Sequence, residues 1–481
     1  MTRPAAAVRP WPALWSMIIG FFMILIDSTI VSIANPTFQR VFTPGSHDLS
    51  GVLWITSAYL LASGVPLLLA GRLGDLFGQR RVYLIGLSVF TLCSLGCGLA
   101  GSLGELIAWR AAQGVGAALL TPQTMAVITR IFPFGQRGRA MSVWGATAGI
   151  ATLVGPLLGG LLLGAFGWQA IFFVNVPIGI AGFALAWRYV PQMPTSSAKL
   201  DWVGTALSGA GLFLVIFGVQ QGESYSWGAI LGPITVWAVI GAGLLLLALF
   251  VGWQRVSPWG VLMPLELFRV HNFRIANIGI ALVGLAVTAV NVPLLIYVQS
   301  VRGMSAIGAG LILLPLAITS LATAGPFGRL LDRVSSPRIV EAPALAVWGV
   351  AVVVLAWLMA VDAPIGWILA ITAVMGVSNS GMWAPLANAA TRDLGGALAG
   401  AGSGVYNMIR TVGSVLGSAG IAALMDARIA AAMAAGIRQP IGRGLAEAML
   451  LPAGAILLAA LVVLLLHPWQ RSAPAAAAAS E

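Results

Sequence analysis

The stretch Gly71-Arg72-Leu73-Gly74-Asp75-Leu76-Phe77-Gly78-Gln79-Arg80-Arg81 connects two apolar segments of the chain, and a shorter copy, Gly328-Arg329-Leu330-Leu331-Asp332-Arg333, connects two others. The glycine and the aspartate have the same spacing in both copies, and the two aspartates are 257 residues apart. Internal repeats are the usual construction of secondary transporters, in which one half rocks against the other around a site near the middle of the membrane. The repeat therefore favours a duplicated membrane protein with a role in transport.

The composition also indicates a membrane protein. Of 481 residues, 59% are hydrophobic and only 8% are charged, and the mean hydropathy is +0.96. Soluble domains do not show this balance. A membrane-spanning helix needs about 20 apolar residues, and the sequence predicts fourteen of them in an all-α protein. We place these spans near 12–35, 52–71, 82–101, 105–129, 140–164, 168–189, 202–220, 230–252, 275–299, 307–328, 339–360, 364–387, 400–426 and 446–467.

The net charge of +11 does not indicate a nucleic-acid partner, because the cations are spread over short loops and form no patch. With both termini in the cytoplasm, 18 of the 25 lysines and arginines fall on the inner side and five on the outer side. Three of the outer five lie in one predicted loop, 427–445. This distribution follows the positive-inside rule. It predicts a multi-pass protein of the cell (inner or plasma) membrane with both termini cytoplasmic.

The spacing of the repeat predicts the domain organisation. The separation of the copies exceeds what two adjoining six-span bundles require, and two additional spans between them account for the excess. We therefore expect an N-terminal six-helix bundle, a linker with two additional transmembrane helices, a C-terminal six-helix bundle and a disordered Ala-rich tail. Their bounds are 1–190, 191–274, 275–467 and 468–481.

Several motifs together resemble those of the major facilitator superfamily, and the fourteen spans resemble its drug–proton antiporter branch, the EmrB/QacA-like multidrug exporters. The resemblance extends from about residue 20 to about residue 425. Besides the loop at 71–81, it rests on Leu25-Ile-Asp27-Ser-Thr29-Ile-Val31, Trp54-x4-Tyr59, Arg110-x2-Gln113-Gly114, Gly155-Pro156-x2-Gly159-Gly160, Asn175-x-Pro177-x-Gly179 and Ser403-Gly404-x2-Asn407-x2-Arg410. It implies a major facilitator fold and proton-coupled export of lipophilic or amphiphilic compounds, including antibiotics, by alternating access. Export or flipping of a native lipid or metabolite shares every motif and stays an alternative.

The repeated loop suggests a conformational latch. Asp75, near the inner face, can cap the positive end of a neighbouring helix or pair with Arg80 or Arg81, which contributes about 0.3–1 kcal/mol. A contact present in only one orientation of the two halves would act as a latch, whereas the alternative is a solvated turn. The second copy, with Asp332 and Arg333, has Ser335 in place of Gly78, so its latch is expected to be weaker.

The fifth span carries a proline and several glycines. Pro156 removes a backbone hydrogen bond and is expected to kink the helix. Gly155, Gly159, Gly160 and Gly164 give a smooth face for close helix packing. The resemblance implies that this is the family's antiporter motif, here with Ala151 in place of its first glycine. Small-residue packing without any role in coupling is the alternative.

Asp27 is the only one of the fourteen acids that lies deep within a predicted span. A carboxylate in hydrocarbon costs several kcal/mol unless it is protonated or paired, so Asp27 is the best proton carrier that the chain offers. Arg110 is its expected counter-charge, because the resemblance places spans 1 and 4 along the same cavity. A purely structural buried pair is the alternative.

Spans 9 and 10 contain no second buried acid, and exporters of divalent organic cations generally need one. We therefore expect neutral, zwitterionic, anionic or amphiphilic substrates. Arg410 in span 13 either anchors the substrate or braces the helix. Further candidates for the pocket are aromatic and amide residues, which could equally serve packing: Trp54, Tyr59, Gln113, Asn291, Tyr297, Gln299, Asn379, Trp383 and Asn407.

Other functional classes receive little support. An enzyme or a non-transporting receptor would need clustered nucleophiles, a set of metal ligands or a sizeable soluble domain, none of which is visible in the sequence. The proline and glycines of span 5 disfavour uptake of the sugar-transporter type. Cys93 and Cys97, one turn apart, are expected to be apolar packing residues, and the three histidines suggest no metal site. No Walker-type loop occurs, so we expect an ion gradient, without a cofactor, as the energy source. A monomer is expected.

Overall fold

The computed structural model describes residues 9–43, 50–196, 199–222, 225–257, 261–304, 306–394 and 398–468. Nearly all of this part of the chain is helical. The predicted disordered tail and His47 lie outside the described residues, apart from Pro468 at the start of the tail. The first half of the fold contains α1 (Pro10–Phe42), α2 (Ser50–Gly64), α3 (Leu67–Phe77), α4 (Gln79–Leu99), α5 (Leu103–Ile131), α6 (Phe134–Phe166), α7 (Ala170–Phe173) and α8 (Asn175–Tyr189).

Two long helices separate the halves. α9 (Trp202–Gln221) is followed by a small antiparallel hairpin, β1 (Ala229–Leu231) and β2 (Ile234–Thr235), and by α10 (Val236–Val256). A short 3-10 helix (Leu265–Arg269) precedes the second half. The second half contains α11 (His271–Ile296), which ends in a π-helical turn (Tyr297–Val301), then α12 (Ala306–Ile312), α13 (Leu314–Arg333), α14 (Arg338–Ala360), α15 (Ile365–Ser380), α16 (Trp383–Thr391), α17 (Ala399–Ala434), α18 (Pro440–Ala448) and α19 (Leu450–Val463).

Eleven of the described helices are long and apolar enough to cross a membrane, or twelve when the bent pair α2–α3 is counted as one span. Each half is a helical bundle in which a helix packs both on its neighbours in sequence and on helices farther along the chain. In the first half α1 packs on α6 and α8, and α5 packs on α2 and α4. In the second half α11 packs on α17 and α19, and α14 packs on α15 and α19. The halves meet where α6 contacts α13 and where α17 contacts α3 and α5.

The prediction of a loop at 427–445 is wrong. α17 continues to Ala434 and α18 begins at Pro440, so helix replaces most of that loop. Ala-rich sequence favours helix strongly, and residues 430–435 contain five alanines. The boundary of the last span lies correspondingly earlier in the chain than 446.

The inserted pair α9–α10 is held together at two points. Gly211 of α9 and Gly243 of α10 pack against each other's backbone, since a Cβ built on Gly211 would lie 3.1 Å from the carbonyl oxygen of Gly243. Asp201 caps the first turn of α9 and also accepts hydrogen bonds from Trp253 (3.0 Å) and Gln254 (2.7 Å) of α10. α9 lies against α2 and α17, with Leu61, Leu212 and Ile216 buried between the three helices.

Candidate functional site

Asp27 of α1 and Arg110 of α5 form an ion pair in the middle of the first half. The Nη1 atom of Arg110 lies 2.5 Å from Oδ2 of Asp27, and both side chains are completely buried. The predicted pairing of these two residues is therefore present. In a membrane interior each charge alone would be expensive, and removal of either partner would leave the other uncompensated.

Two amides complete the surroundings of the Asp27 carboxylate. Its Oδ1 atom accepts hydrogen bonds from Nε2 of Gln113 (3.1 Å) and from Nδ2 of Asn175 (3.0 Å). Gln113 also accepts a hydrogen bond from Arg110 (2.6 Å), one helical turn away on α5. Gln113 was predicted to contact substrate, but it belongs to this buried network. Asn175 was part of the motif in span 6 but was not among the predicted site residues.

Tyr59 of α2 covers the ion pair. Its ring centre lies 4.0 Å from the guanidinium carbon of Arg110, a distance suited to a cation–π contact. Tyr59 is 2% exposed, and it also lines a cavity between the two halves that Arg110 and Asp27 do not line. Cys97 donates a weak hydrogen bond from its Sγ atom to Oε1 of Gln113 (3.7 Å), and both cysteines are buried and form no disulfide.

The first copy of the repeat holds the two halves together. Asp75 of α3 accepts hydrogen bonds from the backbone N–H groups of Gly400 (3.1 Å) and Ala401 (2.9 Å), at the start of α17. A carboxylate at this position stabilises the positive end of the helix. Asp75 also forms an ion pair with Arg130 of α5, at 2.7 Å. We call this set of contacts the Asp75 latch.

The predicted alternative, in which Asp75 pairs with Arg80 or Arg81, is not present. Gly78, with φ of +91°, ends α3 and begins α4, so both arginines lie in the first turn of another helix. Arg80 donates a hydrogen bond to the carbonyl of Trp187 and lies 5.0 Å from its ring. Arg81 is exposed. The cation beside Asp75 is therefore supplied by α5, which the local sequence does not reveal.

The second copy forms the corresponding contact in the opposite direction, which we call the Asp332 latch. Asp332 of α13 accepts a hydrogen bond from the backbone N–H of Gly138 (2.8 Å), near the start of α6. The glycine of each copy lies against the same helix as its aspartate. A Cβ built on Gly71 would lie 2.6 Å from the carbonyl oxygen of Gly400, and one built on Gly328 would lie 2.9 Å from Cα of Arg139. Arg333 is exposed.

The glycines of α6 divide into two groups. Gly155 and Gly159 face α1, where a Cβ would lie 1.9 Å from Oγ1 of Thr29 and 3.3 Å from Cγ2 of Ile30. A Cβ on Gly160 or Gly164 would meet no described atom within 4 Å. The close-packed face is thus narrower than predicted, because consecutive glycines point to different sides of a helix. The side chain of Pro156 lies outside the described residues, and the helix itself runs without a break.

A cavity of about 550 Å³ lies between the halves. Its walls come from α1, α2 and α5 of the first half, from α11 and α17 of the second half, and from α9 and the segment after it. It follows α17 from Arg410 to Asp426, away from the end that the Asp75 latch closes. Arg410 and Asp426 are the two charged residues among the described lining groups.

Of the ten residues predicted for the substrate pocket, only Tyr59 and Arg410 line this cavity. The amide side chains mostly form hydrogen bonds within their own helices. The side-chain N–H groups of Asn291, Gln299 and Asn407 each donate to the backbone carbonyl four residues earlier. Asn379 donates a hydrogen bond to Ser320 and accepts one from Trp383. The hydroxyl of Tyr297 donates a hydrogen bond to Asp362, and the ring of Trp54 packs on that of Phe217. The cavity is also lined by three residues of α17 that were not predicted, although their helical spacing was visible in the sequence: Ser414, Ser418 and Asp426.

Glu341 is a fully buried acid outside the Asp27 network. It lies in the first turn of α14, its side chain has no exposure, and neither carboxyl oxygen has a hydrogen-bond partner among the described residues. Glu341 lies near the end of its span, so Asp27 remains the acid that lies deep within one. α14 packs on α15 and α19.

Comparison with known proteins agrees with this architecture. The family model described as Major Facilitator Superfamily matches residues 17–418. An uncharacterized MFS-type transporter of Mycobacterium tuberculosis is 44% identical over 92% of this chain and 79% of its own. The tetracenomycin C resistance and export protein of Streptomyces glaucescens is 30% identical over 89% of this chain and 78% of its own.

The fold is also that of solved transporters. The crystal structure of the human organic anion transporter MFSD10 superposes with a TM-score of 0.68, at 13% identity, over 96% of this chain and all of that one. At this identity the likeness concerns the fold alone. Together with the match over most of the sequence, it identifies the chain as a multi-pass membrane transporter, not an enzyme, that belongs to the Major Facilitator Superfamily.

Proposed function

We propose that this protein is a proton-coupled antiporter that exports lipophilic or amphiphilic small molecules by alternating access. The observation that carries the proposal is the buried Asp27–Arg110 ion pair, which Tyr59 separates from the cavity. A titratable group so close to a substrate-sized cavity can exchange a proton in step with the change of access. The relatives named above include a resistance and export protein, which supports the direction of transport.

In the conformation described, Asp27 is held as the partner of Arg110. Three side chains, Arg110, Gln113 and Asn175, direct N–H groups at its two oxygens. Protonation removes the charge that holds Arg110, which weakens the ion pair and the contact with α5. Because Tyr59 packs on Arg110, a shift of that guanidinium would be transmitted to the cavity wall. The proton would thereby favour one orientation of the halves.

The two latches explain how access could alternate. Both join the start of a helix in one half to the repeat motif of the other, at the same end of the bundle. With both termini in the cytoplasm, as the distribution of arginines favours, that end is cytoplasmic and the structure is outward-facing. Release of the Asp75 and Asp332 latches would open the cytoplasmic end. This proposed cycle needs a proton gradient and no cofactor, and one copy of the chain suffices for it.

We further propose fourteen membrane spans. α5 and α6, with 29 and 33 residues, would extend about 44 and 50 Å, which is ample for a bilayer core of about 30 Å. Added to the twelve spans described above, they give two six-helix bundles and an inserted pair. The proposed bounds are 1–190, 191–274 and 275–467. The segment 191–196 then joins the first bundle to the pair along the Asp75 latch, where Ser196 donates to the carbonyl of Asp75 (2.8 Å).

The energy available is sufficient for export. A proton moving inward supplies about 2.3 kcal/mol per 100 mV, which corresponds to roughly a 50-fold concentration gradient of an uncharged substrate. The test is proton movement in proteoliposomes that contain wild type, Asp27→Asn or Asp362→Asn. Asp362 forms a partly exposed ion pair with Arg302 far along the chain, so its variant controls for loss of a carboxylate.

We expect wild type and Asp362→Asn to move protons when neutral and anionic lipophiles are added, and Asp27→Asn to move none. Equal proton movement in Asp27→Asn and wild type would contradict the proposal. Proton movement that responds only to added lipids would favour the alternative, an exporter or flippase of a native lipid or metabolite. A preference for a dication would contradict the expected substrate charge.

A further inference from the structure

Arg410 is a cation without a counter-ion on the cavity wall. It lies on α17 and lines the cavity, and no carboxylate among the described residues lies within ion-pair distance of it. Its Nε atom is buried and has no hydrogen-bond partner in that part of the chain. Arg110 differs, because Asp27, Gln113 and the carbonyl of Ile55 accept its hydrogen bonds.

The other charged residue of the wall is too distant to neutralise Arg410. Asp426 follows it by 16 residues on the same helix, which corresponds to about 24 Å along the axis. Asp426 is exposed, at the far end of the cavity. An unpaired cation in a low-dielectric environment is costly and attracts an anion strongly. The inner part of the cavity therefore carries an uncompensated positive charge.

The groups next to Arg410 on α17 are neutral, including the hydroxyl of Tyr406 and the Oδ1 atom of Asn407, which have no hydrogen-bond partner among the described residues. The hydroxyls of Thr411 and Ser414, next to it on α17, donate their protons to the carbonyls of Asn407 (2.9 Å) and Gly284 (3.3 Å). Thr121 and Ser63 likewise donate to carbonyls of their own helices. These neutral oxygens accept hydrogen bonds only weakly. A guanidinium, in contrast, offers several N–H groups in a plane that matches a carboxylate or phosphate.

The remaining wall combines apolar side chains with neutral polar ones, such as Ser28 and Thr288, and includes one helix of the inserted pair, α9. Ile24, Leu25, Leu60 and Leu67 of the first half face the cavity. Val219 of α9 and Trp227 after it face the same space. A wall with apolar and neutral polar side chains and one unpaired cation fits an amphiphilic molecule that has an apolar body and a single acidic head group.

We propose that Arg410 is the binding site for the acidic group of the transported molecule, and that the substrate class is therefore amphiphilic organic anions. The proposal rests on the proposed function, because it takes the cavity to be the substrate site. The shared chemistry is an oxyanion attached to an apolar body. Such a group is present both in soluble organic acids and in the head groups of anionic lipids.

Binding to purified protein in neutral detergent tests the proposal without any gradient. The probes are dansylaminoundecanoic acid, its methyl ester and the corresponding trimethylammonium compound, which share one apolar body. Energy transfer from tryptophan to the dansyl group reports binding. The variants are Arg410→Gln, Arg410→Lys, Ser414→Asp and, as the matched control, Ser414→Asn. Ser414→Asp keeps the arginine but places a carboxylate one helical turn away, where it can pair with Arg410.

We expect wild type to bind the acid about tenfold or more tightly than the ester, as charge-assisted hydrogen bonds usually provide. Arg410→Gln and Ser414→Asp should abolish this preference, whereas Arg410→Lys and Ser414→Asn should keep most of it. Equal affinity of wild type for the acid and the ester would overturn the proposal. So would an unchanged preference in Arg410→Gln or, if that variant does not fold, in Ser414→Asp.

A competition with phosphatidylglycerol and phosphatidylcholine identifies the source of the anion. If phosphatidylglycerol alone displaces the acid from wild type, the head group of an anionic lipid occupies Arg410. If neither lipid displaces it, the site takes soluble organic acids, and both results support an anion site. Intact binding together with a failure of substrate-driven proton movement would contradict the proposed function while leaving the anion site in place.

Discussion

The ring of Tyr59 lies 4.0 Å from the guanidinium carbon of Arg110 and separates the Asp27–Arg110 ion pair from the cavity. The proposed proton site and the proposed substrate site therefore share one side chain as their wall. The relationship links α2 to α5 and, through Arg110, to α1. A change of charge at Asp27 that moves Arg110 would therefore also move a side chain of the cavity wall.

The ring and the hydroxyl of Tyr59 should contribute differently to the barrier between the ion pair and the cavity and to the coupling of proton and substrate movement. Tyr59→Phe keeps the ring over Arg110, and the hydroxyl it removes has no hydrogen-bond partner among the described residues, so we expect nearly unchanged coupling. Tyr59→Ala removes the ring and opens the ion pair to the cavity, so protons should leak without substrate. Proton flux in proteoliposomes without substrate measures the leak. Equal leaks in the two variants would show that the ring is not the seal.

The two latches should differ in strength. Asp75 accepts two backbone hydrogen bonds and pairs with Arg130 at 2.7 Å, whereas Asp332 is held by the backbone N–H groups of Gly138 and Arg139. Asp75→Asn should therefore destabilise the closed end by about 1–3 kcal/mol, and Asp332→Asn by less. Hydrogen exchange of the segments that begin α17 and α6 reports the opening. Faster exchange at Gly138 in Asp332→Asn than at Gly400 in Asp75→Asn would reverse the predicted order.

Glu341 should destabilise the protein relative to an apolar residue. In the alignment of the two repeat copies, its position corresponds to Leu84, which is also buried. A buried carboxyl group without partners costs about 1–3 kcal/mol, so Glu341→Leu should raise the Tm by several degrees. Glu266→Leu, at an exposed position, controls for the added apolar surface and should change little. A lower Tm for Glu341→Leu would mean that the acid has a partner in another conformation.

The sequence predicted those features whose signal is local. Asp27 stands out because it interrupts an apolar segment, and its pairing with Arg110 followed from the rarity of buried charges. The amide residues of the predicted pocket were misleading, because an amide inside a helix can satisfy itself on the carbonyl four residues earlier, as Asn291 does. Arg130 and Asn175 lie far along the chain from Asp75 and Asp27. Only the packing of the helices brings each of them to its acid.

The glycines of α6 allow a final test in which intrinsic helix propensity and packing act in opposite directions. Exchange of glycine for alanine inside a helix is favourable by about 0.5–1 kcal/mol when the new methyl group meets no other atom. Gly160→Ala fulfils this condition, because no atom of the described residues lies within 4 Å of the added Cβ. It should therefore raise the Tm slightly and leave transport unchanged.

At Gly155 the same methyl group would lie 1.9 Å from Oγ1 and 2.8 Å from Cβ of Thr29. Gly155→Ala should therefore push α6 away from α1, lower the Tm and impair transport, even though the helix itself gains propensity. Because Thr29 lies two residues from Asp27, the shift should also weaken coupling. Thr29→Ala, combined with Gly155→Ala, removes the nearer of the two atoms and should restore part of the loss. If Gly155→Ala behaves like Gly160→Ala in both Tm and transport, close packing of α6 on α1 is not required for either.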